Sequence, residues 1–157
     1  MATSTIPAFK AALLERLALD PGLAGVRVDY GMSLPPGNHP DWVWFGDTRS
    51  DDGTNGPFPG GQRAATLGLQ RREERYVLEA VVSVLRPARE RQQTVTERAF
   101  ELAAAIEESV RAWGAVQPAF GGVVRWAQVT DLVHREFAST TEREARVLID
   151  ISCAARI

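Results

Sequence analysis

The chain has 157 residues with 18 basic and 20 acidic side chains, a formal net charge of −2, and is 45% hydrophobic and 24% charged. That length suits one domain with its own core, and the composition excludes a disordered chain. The charge balance argues against a nucleic-acid binder working through a basic face, while leaving a local patch open. Cys153 is the single cysteine, which excludes a disulfide-stapled secreted domain. No apolar run approaches the roughly 20 residues that span a bilayer. The start, Met1 to Pro7, lacks a basic region followed by an apolar stretch, so the expectation is a cytoplasmic chain without a signal peptide. Lys10 is the only lysine; arginine supplies the other basic positions, a bias that reads first as a genome rich in G and C and second as an interface composition.

Pro7, with Thr5 or Ile6 ahead of it, opens a helix in which Phe9, Leu13 and Leu17 recur at i, i+4 and i+8, with Leu14 beside the stripe. Asp20-Pro21-Gly22 stops it. Val26-Arg27-Val28-Asp29-Tyr30 alternates as a half-buried strand, and Leu34-Pro35-Pro36-Gly37-Asn38 breaks it. Trp42-Val43-Trp44-Phe45 reads as a second strand, ended by Gly46. Residues 46–63 hold five glycines and two prolines and read as a long flexible loop.

Next comes a long strand with an apolar face of Tyr76, Leu78, Ala80, Val82 and Val84; Arg71-Arg72-Glu73-Glu74-Arg75 leads into it as a charged, exposed segment, and Pro87 ends it. Thr94 and Glu97 fit a capping box for a helix whose stripe is Leu102, Ile106, Val110 and Trp113, with Gly114 at its C-terminal end. Val123 to Phe137 reads as a strand with a bulge or break near Gln128. Ser139-Thr140-Thr141-Glu142 is the turn, and Val147, Ile149, Ile151 and Cys153 mark a clean terminal strand. The expected fold class is α+β: a mainly antiparallel sheet of four to five strands with two helices packed on one face, in a single domain over residues 1–157.

The residues point to no catalytic, cofactor-binding or metal site. His39 and His134 have no metal-ligand spacing. A dyad of Cys153 with a histidine competes with the reading of Cys153 as a small buried hydrophobe, which is preferred. His39-Pro40-Asp41 matches the tripeptide of J-domain co-chaperones, but it precedes a strand and reads as a turn. Gly60-Gly61 lacks the lysine and the following helix of a phosphate loop. Trp42 and Trp44 share one strand face and suit either the core or an interface. Arginines gather at two corners, Arg71, Arg72 and Arg75, then Arg86, Arg89 and Arg91, interleaved with Glu73, Glu74 and Glu90. Such a mixed patch is a solvated face or an interface of reciprocal ion pairs.

The opening helix, the strand Val26 to Gly31, the short Trp42-Val43-Trp44-Phe45-Gly46 strand, Tyr76 to Val84 leading to the helix Ala99 to Val110, and the closing hairpin ending in Val147-Leu148-Ile149-Asp150-Ile151 resemble, in order and spacing, the tail terminator (tail completion) proteins of long-tailed bacteriophages and phage-like gene transfer agents. The resemblance covers nearly the whole chain and rests on element order. It implies a non-enzymatic virion protein: a homo-oligomeric ring, usually a hexamer, at the head-proximal end of the tail. The ring ends polymerisation of the tail tube protein, docks to the head-tail connector protein and lets DNA pass through its lumen without sequence-specific binding. On this reading Trp42, Trp44, Asp51, Asp52, Arg71, Arg72, Arg75, Arg86, Arg89 and Arg91 are the interface candidates, and no membrane is involved. The alternatives are a head-closure protein of the same particle, a cytosolic binding module built on Trp42-Val43-Trp44-Phe45, and a small enzyme using His39 or His134.

Overall fold

The computed structural model describes residues 4–32, 39–50, 61–64 and 72–157. Helix α1 (Ile6–Ala18) is followed by β1 (Arg27–Asp29), β2 (Asp41–Ser50), β3 (Gly61–Ala64) and β4 (Arg72–Pro87). Helix α2 (Gln92–Val116) then leads to the hairpin of β5 (Trp126–Ala138) and β6 (Glu142–Arg156). The strands form one mixed, mostly antiparallel sheet in the order β1-β2-β4-β6-β5, with β3 also on β4. Among the described residues only β1 and β2 run parallel. The fold is α+β, as expected.

The core lies between the helices and one sheet face. Phe9, Leu13 and Leu17 of α1 meet Leu102, Ile106 and Val110 of α2 over the apolar faces of β4 and β6. Tyr76, Leu78, Ala80, Val82 and Val84 are fully buried, as are Ala145, Val147, Ile149, Ile151 and Cys153. Strand alternation puts every second side chain on this face, which is why the period-two apolar pattern marks the core. Cys153 is thus a buried hydrophobe, and the register rules out its dyad with His134. Cys153 stands opposite Ala127 and His134 opposite Val147, about 20 Å apart along the hairpin.

Four expectations are corrected. First, residues 46–63 are not wholly loop, because β2 runs to Ser50 and β3 begins at Gly61. Ser50 lies opposite Tyr76 and Gly61 opposite Arg75, so β3 resumes along β4 the edge that β2 leaves. Glycine content suggested a loop, but ladder hydrogen bonds from β4 set the strand. The remainder of the expected loop, with Asp51 and Asp52, lies outside the described residues, as do the expected break at 34–38 and Arg71.

Second, the charged lead-in to β4 is strand, and Glu74 within it is 1% exposed. Its carboxylate accepts hydrogen bonds from Ser4 Oγ (2.6 Å), Thr5 N (2.8 Å) and Thr5 Oγ1 (2.7 Å), and so closes the N-terminus of α1 from the neighbouring strand. Third, α2 starts at Gln92 behind Arg91, without a side-chain cap, so the Thr94–Glu97 box does not form. The start is set by tertiary anchors: the Ala88 amide donates to Thr141 O (2.9 Å) and Gln92 Nε2 to Glu144 O (3.2 Å). Gln93 takes up Glu97 instead (2.7 Å). Fourth, Gly114 lies inside α2, which continues to Val116.

A left-handed turn follows α2. Ala119, Phe120 and Gly121 all have positive φ (58°, 47° and 71°), and Phe120 is buried against Trp113 and Phe9. An alanine held there stores backbone strain that glycine would not. The variant Ala119→Gly is therefore expected to gain about 0.5–1 kcal/mol in chemical denaturation despite its more flexible unfolded chain. A loss of stability would show that the turn is unstrained.

Candidate interaction surface

The face of the sheet opposite the helices carries the chemistry that the core does not use. β2 contributes Trp42 and Trp44, β4 Glu79 and Val81, β6 Arg146 and Leu148, and β5 Val133, Arg135 and Phe137. Trp42 and Trp44 are 6% and 4% exposed, with ring centroids 4.4 Å apart, and form a second apolar cluster with Val81 and Leu148. The Trp42 indole donates to Asp29 Oδ2 (2.7 Å), and the Arg27 guanidinium covers its ring at 5.4 Å. Arg146 stands over both Trp44 (6.0 Å) and Phe137 (5.3 Å). Trp42 and Trp44 are therefore the floor of this face, and the exposed apolar side chains at its margin include Met32, Val133 and Phe137. Between them lies a concavity of about 430 Å³, lined by Met32, Trp44, Val81, Leu148, Arg135 and Phe137, among others.

The far rim of the concavity is acidic. β2 bulges between Phe45 and Thr48, and a side chain at Gly46 would collide with the Glu79 carboxylate, so glycine lets that carboxylate lie against the strand. Burial, with Asp150 and Asp47 nearby, raises the Glu79 pKa above the ordinary carboxylate value, while Arg49 and a hydrogen bond from the Asp47 backbone oppose the rise. A carboxyl so raised holds its proton more tightly in the folded chain than in the unfolded one. The fold thus loses stability as pH rises through the raised, folded-state pKa. The variant Glu79→Gln is expected to melt about 1–3 °C higher than the parent at pH 7, with the gain vanishing in acid. An equal gain at all pH values would assign it to packing instead.

The arginine corners are not brought together. Arg72, Arg75 and Arg86 all lie on β4, but a strand of 16 residues separates its two ends by about 50 Å. Arg75 is exposed and pairs with Glu73 (3.0 Å). Arg86 has a structural partner in Asp41 (2.7 Å), which also takes Arg98 of α2 (3.0 Å), so that one carboxylate ties β2, β4 and α2. Arg89 and Arg91 are exposed in the turn before α2. Trp126, at the start of β5, is 39% exposed.

The sequence reading missed Arg135, Phe137 and Arg146. The signal for Arg135 and Phe137 was the alternation Asp131, Val133, Arg135, Phe137, hidden by the bulge between Val129 and Asp131 that shifts the period. Among the described residues no group of three or more His, Cys, Asp or Glu could hold a metal ion, and no helix is long and apolar enough to cross a membrane. An apolar floor with arginine and aromatic margins suits contact with another protein surface. No protein-family model matches the chain, and no curated protein matches it in sequence.

Proposed function

We propose that the protein is a structural component of a long-tailed phage or phage-like particle, a tail terminator that forms a ring at the head-proximal end of the tail tube. The observation that carries this reading is the element order: an opening helix, a strand pair, one long strand, a long helix and a closing hairpin, the order that underlies the resemblance. The concavity beside Trp44 and Phe137 gives such a subunit an exposed face for a neighbour, for the tube or for the connector. A net charge of −2 suits a ring through which DNA passes without being gripped.

The test is assembly. Purified chain is mixed with the tube protein of the same particle, and mass and form are followed by light scattering and negative-stain microscopy. Rings that cap the tubes and hold their length are expected. A chain that stays monomeric while tubes elongate unchecked would overturn the proposal, and capture by the connector alone would move the role to head closure.

A further inference from the structure

Strand β5 forms one edge of the sheet, and from Asp131 to Ala138 every residue is exposed. A long edge strand is a template for a further strand, and natural edges are usually shortened, covered or charged against it. Three charges stand on this edge; Glu136 lies opposite Ala145 and accepts a hydrogen bond from Thr96 of α2, but Asp131 and Arg135, on the open face, each face a like charge within their own sheet. Asp131 lies opposite Asp150, and Arg135 lies opposite Arg146. Like charges directly opposite are unfavourable. Asp150 and Arg146 have partners in Arg49 and Glu144, whereas Asp131 and Arg135 form no ion pair among the described residues. Asp131 only accepts a hydrogen bond from the adjacent Leu132 amide (2.9 Å), which marks that amide as one turned from the ladder.

We propose that this edge pairs with β5 of a second copy of the chain, antiparallel, about a two-fold axis at Val133. In that register Asp131 faces Arg135 of the partner subunit, and Arg135 faces Asp131 of the partner subunit. Both pairs lie on the open sheet face. Val133 meets its own copy, and Leu132 lies opposite His134 of the partner subunit. Alternative registers do worse. Moving the axis by one residue sets Asp131 opposite Val133 or Phe137 of the partner subunit. Moving it by two sets Asp131 or Arg135 opposite itself. The half-exposed Leu132 and Val133 (42% each) lose water in the contact. The bulge after Val129 limits the paired segment to 131–135 at that end. The contact is isologous and closes on two copies. It therefore builds no ring by itself and does not rest on the tail-terminator reading.

Charge reversal tests it. Asp131→Arg and Arg135→Asp each replace both opposite-charge pairs by like charges across the axis, and each is expected to weaken self-association at least about 10-fold in sedimentation equilibrium. The same changes turn an unfavourable pair within the sheet into a favourable one, so neither should lower the melting temperature, which separates lost pairing from lost folding. The two single variants mixed together should form a heterodimer, and the doubly reversed chain should dimerise like the parent. A parent chain that stays monomeric, an oligomer whose mass neither variant changes, or a mixture of single variants that stays apart would overturn the proposal. The second outcome would leave ring assembly through other surfaces standing.

Discussion

Replacing Glu74 by alanine is expected to lower stability by about 3 kcal/mol and to release the first turns of α1. The carboxylate is 1% exposed and accepts three hydrogen bonds, from the Thr5 amide and the Ser4 and Thr5 hydroxyls. Hydrogen bonds to a charged acceptor contribute about 1.5 kcal/mol each at the low end, and a negative charge at a helix N-terminus adds about 0.5 kcal/mol. Water reaching the frayed end would recover part of that sum. Thr5 makes no side-chain cap of its own, and the local Ser4 hydroxyl accepts from the Ile6 amide (3.1 Å), not from the Thr5 amide that Glu74 holds. Glu74→Gln keeps one acceptor oxygen but turns an amide toward donors, and about 1–2 kcal/mol should be lost. Denaturation midpoints give the size, and amide exchange in α1 gives the place. Unchanged protection of α1 in the alanine variant would show that packing of Phe9, Leu13 and Leu17 alone holds the helix.

The second large effect is expected at Trp113. Its ring is stacked on Phe9 (5.9 Å between centroids, 2° between planes) and receives the edge of Phe120 at 5.1 Å. Its indole donates to Gln117 Oε1 (2.8 Å), and the Arg16 guanidinium lies 5.7 Å from the ring. One side chain thus joins α1, the end of α2 and the left-handed turn. Trp113→Ala should cost about 4 kcal/mol, as large-to-alanine changes in aromatic cores do. Trp113→Phe preserves the stacking and loses the indole hydrogen bond and part of the contact, for about 1–2 kcal/mol. Gly114 belongs to the same device, because a Cβ there would stand 2.8 Å from Phe120 Cζ. Urea denaturation of both variants decides the matter. A loss below about 1 kcal/mol for the alanine variant would mean that Phe9 and Phe120 close over the gap.

The proposed β5 contact and the proposed ring make different demands on the molecule. A ring needs two different surfaces that meet head to tail, and the concavity at Trp44 is one candidate for such a surface. The β5 edge needs only itself. Measuring mass with and without the charge reversals at Asp131 and Arg135 distinguishes the two.

Most of the elements were legible in the sequence because their signals are local. The stripe Phe9, Leu13, Leu17, the alternation from Tyr76 to Val84 and that from Val147 to Cys153 are periodic patterns, and a period needs only near neighbours in the chain. The same patterns named the core face of the sheet correctly. The open-face surface was half legible: Trp42 and Trp44 were visible as a same-face pair, but their arginine and aromatic margin comes from β5 and β6, about 90 to 100 residues further along the chain.

The sequence by itself determined two helices, the long strand, the closing hairpin and the α+β class, together with a near-neutral charge and no second cysteine. Only the tertiary structure decided where the charges went. It buried Glu74 as a cap for a distant helix and bound Arg86 to Asp41. It set the two arginine corners at opposite ends of β4. It aligned Asp131 with Asp150 and Arg135 with Arg146. The physical reason is that register and burial are set by pairing between segments far apart in sequence, so a charge that reads as solvated in its own segment takes its role from the strand or helix it meets.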